Sequence, residues 1–366
     1  MQRPNTPAEP NLKQLAMQAA QLLEKRRRRS RTPALAAAVI TRAGVVWSGA
    51  NGVRSRLDQT TVTHADRWHL GSNTKAMTAA IYARLVQADL ARWDAPLREL
   101  LPDIAVDAAW DGVTAADLLR HRSGLRDAGL VDRHWIEAAR HNPAAAASQR
   151  SELAARALAR PPRSARDRFA YANANYVLVG AAIERIVGGT WEDAARTWLF
   201  APLGMSSAGF GAPRGADPCG HSSGFLGVAV GAAVDPSSPQ ADNPAFMGPA
   251  GTVHMTLADQ ARFVRLFLSD GAGFLTRASA SALTSPPSND EHDYAFGWGV
   301  IQHRPWAQGP VLVHEGSNTL WHAVAIVGPQ RGLAVLTASN AAGAGSRAAQ
   351  GLALDLVRLY AGGQRF

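Results

Sequence analysis

Strand-like segments sit near the two ends of this chain, with a long helical stretch between them. Leu35 to Ile40 and Gly44 to Ser48 are short, largely apolar runs around the turn Thr41-Arg42-Ala43-Gly44. Val311 to Val313, Ala323 to Val327 and Leu333 to Thr337 are three more, split by Gly and Pro. Residues 90–240 are instead rich in alanine and mostly helical in spacing, with helices expected at Ala115 to Arg120, Ser151 to Ala159, Tyr176 to Ile186 and Trp191 to Leu199. One sheet built from both ends, with a helical block inserted, satisfies this order. Residues 11–30 and Ser346 to Leu359 add a helix at each end, and Thr256 to Leu268 adds another. The expected division is a helix and basic segment over 1–32 and a main domain over 33–366. Within that domain, 33–75 and 245–366 carry the sheet, and 76–244 is helical with a long Gly/Pro/Ser-rich loop at 211–244. A chain of 366 residues is long enough for two such parts.

Composition narrows the class. Apolar residues make up 46% and charged ones 18%, the profile of a globular protein and not of a disordered one. No run of about 18 apolar residues predicts a membrane span. The polar start Met1-Gln2-Arg3-Pro4-Asn5 lacks the order of a secretion signal, so the chain as given reads as cytoplasmic, or as periplasmic if it is a trimmed mature form. One cysteine, Cys219, excludes a disulfide framework. Oligomeric state is not set by any of these features.

The net charge of +9 is an arginine effect: Lys13, Lys25 and Lys75 are the only lysines among 38 basic residues. Arg26-Arg27-Arg28-Arg29 is the one dense basic run, and no aromatic residues interleave with it. It reads as a solvated helix end, so no nucleic-acid partner is expected.

Against that background Ser72-Asn73-Thr74-Lys75 stands out. Spacing i to i+3 on a helix starting near Ser72 puts both side chains on one face. A serine hydroxyl needs a base to become a nucleophile, and lysine serves only when burial and local positive potential lower its pKa. Arginine cannot replace it, because it keeps its proton. A lysine here, in a chain that otherwise uses arginine, points to chemistry. Two further elements fit. Tyr171-Ala172-Asn173 offers a phenol to shuttle a proton to a leaving group, and an amide to hold a substrate carbonyl or orient the lysine. His314-Glu315-Gly316 ends a strand-like run; Gly316 would let substrate backbone approach, and the Ser317 N–H could join that of Ser72 in an oxyanion hole. Taken alone, each element reads better as a helix cap, ordinary loop chemistry or a strand-end turn.

Taken together and in order, Ser72-x-x-Lys75, Tyr171-x-Asn173 and His314-x-Gly316 resemble the three motifs of the β-lactamase-like serine hydrolases, which include class C β-lactamases, DD-peptidases, D-aminopeptidases and related esterases. The flanking text is similar too, at His69 to Lys75, Leu118 to Leu125, Pro202 to Met205 and Tyr294 to Gly299, so that the resemblance spans about residues 33–360. It implies an α/β (α+β) fold: an antiparallel sheet flanked by terminal helices, an all-helical part, and a site in the cleft between them. It implies Ser72 as nucleophile, Lys75 and Tyr171 as the acid/base pair, Asn173 as a substrate-positioning residue, and neither metal nor organic cofactor. The chain departs from the Lys-Thr-Gly third motif of many β-lactam-active members, having no lysine left for it. His-Glu-Gly stands there, and Glu315 is expected to repel a substrate carboxylate.

The expected activity is therefore hydrolysis of a small ester, amide or peptide. β-Lactamase or DD-carboxypeptidase activity is the alternative, and an acylated penicillin-binding or sensor protein that does not turn over is a second. Other chemistries fit less well. Gly220-His221-Ser222-Ser223-Gly224 matches the α/β-hydrolase elbow but lacks a strand before it and a helix after it. No His-Glu-x-x-His is present, and no βαβ pattern precedes Gly343 and Gly345.

Overall fold

The first strand shows why the two chain ends must meet. β1 (Ala34–Thr41) is buried along almost its whole length, so both its faces and both its edges need cover. In the computed structural model, which describes residues 12–224, 229–288 and 292–363, its partners come from opposite ends of the sequence. β2 (Gly44–Gly52) follows by a tight turn and pairs with one edge. The last strand, β12 (Leu333–Ser339), pairs with the other, Leu35 opposite Ser339 and Thr41 opposite Leu333.

Three short strands come from the middle of the chain: β3 (Trp68–His69), β4 (Gly209–Phe210) and β7 (Val253–Met255) form a small antiparallel sheet in the order β3-β7-β4. β5 (His221–Ser223) and β6 (Val230–Ala233) form a two-stranded ribbon. The main sheet is completed by β8 (His292–Tyr294), β9 (Gly299–Arg304), β10 (Gly309–Ser317) and β11 (His322–Gly328), giving the order β2-β1-β12-β11-β10-β9-β8, antiparallel throughout.

Alternation along β1 splits the core in two. Leu35, Ala37 and Val39 face the helices Leu12–Ser30 and Ala344–Tyr360, meeting Ala19, Leu23, Leu352 and Leu356. Ala36, Ala38 and Ile40 face the helical layer, joining Met77, Ile81 and Phe263 in the larger core. That layer contains the helices Thr74–Gln87, Ala146–Leu158 and Asn173–Val187. The fold is thus a mixed α/β one with an antiparallel sheet, and a helical layer separates the strands of the main sheet in sequence.

Several boundaries move for physical reasons. The α-helix starts at Thr74, with Gly71–Asn73 forming a 3₁₀ turn before it. The helix expected over Trp191 to Leu199 holds α geometry to Ala195 and then widens into a π turn at Arg196–Phe200. β9 was not anticipated, because Gly299, Gln302, His303 and Arg304 hide its alternation. The stretch 211–244 is not simply loop: it carries β5, β6 and a 3₁₀ turn at Pro239–Ala241, with residues 225–228 outside the described set. Ser222 lies within β5 and runs on into a hairpin, not into a helix. Among the described residues no helix is long and apolar enough to cross a membrane.

Candidate active site

Ser72 sits on the 3₁₀ turn that joins β3 to the helix Thr74–Gln87. Two glycines press this turn against β10. Gly71 has φ +50°, and a methyl group there would lie 2.3 Å from the Ser317 amide nitrogen. A methyl on Gly316 would lie 2.0 Å from the Leu70 carbonyl oxygen and 2.6 Å from the Ser72 nitrogen. The space kept open at Gly316 is therefore filled by the protein's own backbone, which corrects the expectation that substrate backbone would enter there. The same clasp brings the backbone nitrogens of Ser72 and Ser317 to one place.

Lys75 follows in the first helical turn and is completely buried. Its Nζ lies 3.0 Å from Ser72 Oγ, 2.8 Å from Asn173 Oδ1 and 2.7 Å from the Ala250 carbonyl. None of these partners carries a charge. Burial accordingly pushes the lysine pKa down to about 7, with the nearby Asp127 charge opposing the shift. The two carbonyl oxygens can only accept, so they take two N–H groups of a neutral amine and leave its lone pair toward Ser72.

Asn173 opens the helix Asn173–Val187, whose preceding residue, Ala172, has no side chain able to cap it. Asp127 does this from another segment. One oxygen accepts from the Asn173 N–H at 2.8 Å and from Asn173 Nδ2 at 2.9 Å, and the other from the Ala174 N–H at 3.0 Å. With its amide nitrogen on Asp127, Asn173 must aim its oxygen at Lys75. Of the two roles open from sequence, the geometry has Asn173 bonded to the lysine.

Tyr171 exposes 43% of its surface, yet crowding about its hydroxyl raises its pKa to about 12, with the Ser72 hydroxyl partly opposing. Its ring lies 4.9 Å from Lys75 Nζ and 4.4 Å from the ring of His121. His121 is buried among Tyr171, Tyr176 and Tyr294, and burial holds its pKa well below the usual range. Its Nδ1 accepts from the Ala172 N–H at 3.3 Å and meets Asn175 Nδ2 at 3.1 Å, fixing the loop that presents Tyr171.

His314 is buried, with Nε2 3.0 Å from the Tyr294 hydroxyl and Nδ1 2.9 Å from the Glu315 carbonyl. Burial, with Lys75 nearby, lowers its pKa to about 3, so the imidazole is neutral. Glu315 corrects a second expectation. Alternation along β10 sends it to the face opposite His314 and Gly316, toward the C-terminal helix. There it meets Gln350 Nε2 at 2.6 Å and His322 Nε2 at 3.2 Å, contacts that hold its carboxyl below the usual range. Its charge therefore does not face Ser72.

Sequence reasoning missed Asp127, His69 and Asp242. His69 Nδ1 accepts from the Gly71 N–H at 3.1 Å, and its Nε2 lies 2.8 Å from Asp242 Oδ1, bracing the turn from behind. Only the position of His69 next to the Ser-x-x-Lys run hinted at this. Among the described residues, no group of three or more His, Cys, Asp or Glu side chains comes together in a way that could hold a metal ion.

Comparison with known proteins places the chain in a family. A family model described as Beta-lactamase matches residues 19–359. Penicillin-binding protein 4 of Amycolatopsis lactamdurans is 28% identical over 284 residues, covering 74% of this chain and 71% of that protein. Unguisins hydrolase ungD' of Aspergillus campestris is 26% identical over 339 residues, covering 85% of this chain but only 59% of the relative's length. Among solved structures, the octameric penicillin-binding protein homologue from Pyrococcus abyssi superposes with a TM-score of 0.79 at 19% identity, over 95% of this chain and 78% of that one. A D-stereospecific amidohydrolase from Streptomyces sp. gives 0.71 at 22% identity, over 92% and 98%. The chain belongs to the Beta-lactamase family of hydrolases.

Proposed function

We propose that this protein is a serine hydrolase that forms an acyl-enzyme at Ser72, with Lys75 as base and Tyr171 as the proton carrier to the leaving group. The observation that carries the proposal is the Lys75 amine, fully buried, 3.0 Å from Ser72 Oγ and otherwise bonded only to neutral oxygens. A base with a pKa of about 7 is half free near neutrality and can take the Ser72 proton as Oγ attacks a carbonyl carbon. The oxyanion then meets the Ser72 and Ser317 N–H groups. The proton passes by Tyr171 to the departing alcohol or amine. Water repeats the sequence in reverse and frees Ser72. Asn173 acts by aiming Lys75, and Asp127 by aiming Asn173.

Esters and amides whose leaving group carries no carboxylate suit this site best. The position that holds a lysine in many relatives holds His314, neutral and engaged with Tyr294. Recognition of a carboxylate there would need a cation that this side chain does not supply. Glu315 no longer enters that argument, since it faces away from Ser72.

The decisive experiment is labelling with a fluorophosphonate and with a fluorescent penicillin, wild type beside Ser72→Ala, with the adduct located by mass spectrometry. A fluorophosphonate adduct on Ser72, lost in the variant, is expected. Labelling that persists in Ser72→Ala, or maps to Ser222, would sink the proposal. In a hydrolysis panel, short neutral esters should exceed nitrocefin in turnover; the reverse order would overturn the substrate reading and leave the nucleophile standing.

A further inference from the structure

An apolar cavity of about 520 Å³ begins at Tyr171, Tyr294 and His314 and continues around the edge of the sheet. β9 stops pairing with β10 at Gly299 opposite Val313, so β10 has no strand partner from β9 from His314 onward. Beyond that edge the cavity is walled by Ile301, Val313, Ile326 and Leu354, with Glu315 and Gln350 also lining it. Ile301, Val313 and Leu354 are only half-buried, at the margin of the core between the sheet and the terminal helices. A half-covered apolar surface continuous with a catalytic centre has an obvious chemical occupant: part of the substrate.

Which part follows from Tyr171. On the mechanism proposed above, that phenol hands its proton to the leaving group, so the cavity it lines lies on the leaving-group side of Ser72. We infer that this cavity binds an apolar alcohol or amine leaving group free of carboxylate, and that Glu315 in its wall selects against leaving groups that end in an acid. The inference rests on the assignment of Ser72 and Tyr171. It returns to Glu315 the discriminating role expected from sequence, but at the far side of the sheet edge and on a different part of the substrate.

The test is a series of ethyl, butyl and hexyl acetate, followed by acetate release. These alcohols leave with nearly equal intrinsic ease, so differences report binding. Burial should raise kcat/KM by roughly two- to fourfold per methylene, or at least about tenfold from ethyl to hexyl. In Leu354→Trp, whose indole would intrude into the cavity from its far wall, the hexyl-to-ethyl ratio should fall. Ile301→Trp, from the other wall, should do the same and serves if the first variant does not fold. The acetate ester of 6-hydroxyhexanoate should be hydrolysed at least about tenfold less efficiently than hexyl acetate, and Glu315→Gln should narrow that gap. A wild-type enzyme that hydrolyses all three acetates with no chain-length preference overturns the inference, as does a preference that survives both tryptophan variants. Absence of Ser72-dependent turnover of every ester overturns the mechanism along with it.

Discussion

Lys75 and Arg150 are both basic side chains with no surface exposed to solvent, yet their surroundings are opposite. Arg150 lies between two carboxylates, with Nε 3.1 Å from Glu184 and Nη2 2.7 Å from Glu192. It ties the helix Ala146–Leu158 to the helices Asn173–Val187 and Trp191–Ala195. Lys75 meets a hydroxyl, an amide and a backbone carbonyl, and the nearest carboxylate that acts on it, Asp127, is already engaged with the Asn173 helix end. A buried charge with matched counter-charges is a fixed structural joint. A buried amine with only neutral partners is pushed toward losing its proton, which is a chemical capacity. Burial alone therefore does not mark a functional residue; the charge of its partners does.

The difference can be broken from either side. Lys75→Arg keeps a cation in place but removes the ability to give up a proton, so kcat should fall by about 10³-fold, with a fold still native by circular dichroism. Retention of a tenth of the activity would mean that Lys75 is not the base. Arg150→Met should do the converse. Two carboxylates left without their partner should cost about 3–5 kcal/mol in urea unfolding. The surviving folded fraction should label at Ser72 as fast as wild type. A loss under about 1 kcal/mol would show that Arg150 is not the joint described here.

A smaller effect is expected at Gly316, where the Leu70 carbonyl and Ser72 amide occupy the space of a side chain. Gly316→Ala must move the turn that carries Ser72 by about an ångström, and should lower kcat by about a hundredfold. KM should change much less, because the cavity beyond the sheet edge is untouched. A parallel rise in KM would place the clasp in substrate binding instead.

The contrast also explains what could be read from sequence. Lys75 was legible because lysine is almost absent elsewhere; Arg150 was not, because it is one of 35 arginines and nothing local distinguishes it. β1 and β12 were legible as apolar runs because they are buried on both faces. β9, whose polar residues Gln302, His303 and Arg304 are consecutive and so fall on both faces, was not. Tyr171 and Asn173 could be found by their spacing, whereas Asp127 caps a helix 46 residues away and leaves no periodic trace. Glu315 was found but misplaced: its neighbours in sequence are site residues, and only the pleat of β10 decides that it faces the other way.

The finest test of the comparison concerns Asp127, whose charge opposes the effect of burial on Lys75. Its negative field favours the protonated amine and so works against the burial that lowers the lysine pKa to about 7. Asp127→Asn removes the charge but leaves one acceptor oxygen where the carboxylate offers two, so it can keep the two bonds from Asn173 and loses the one from the Ala174 N–H, at a cost of about 1 kcal/mol. The sign is then set. On the proposed mechanism the free amine is the active form, so wild-type kcat/KM should rise with pH through about 7, and loss of the charge should move that rise to lower pH by up to about one unit. At acid pH the variant should be relatively faster than wild type, an outcome that simple loss of structure cannot produce. A rise that stays put, or moves upward, would mean that Asp127 supports Asn173 without governing the charge on Lys75. Burial would then act on the Lys75 amine with no opposing field from Asp127.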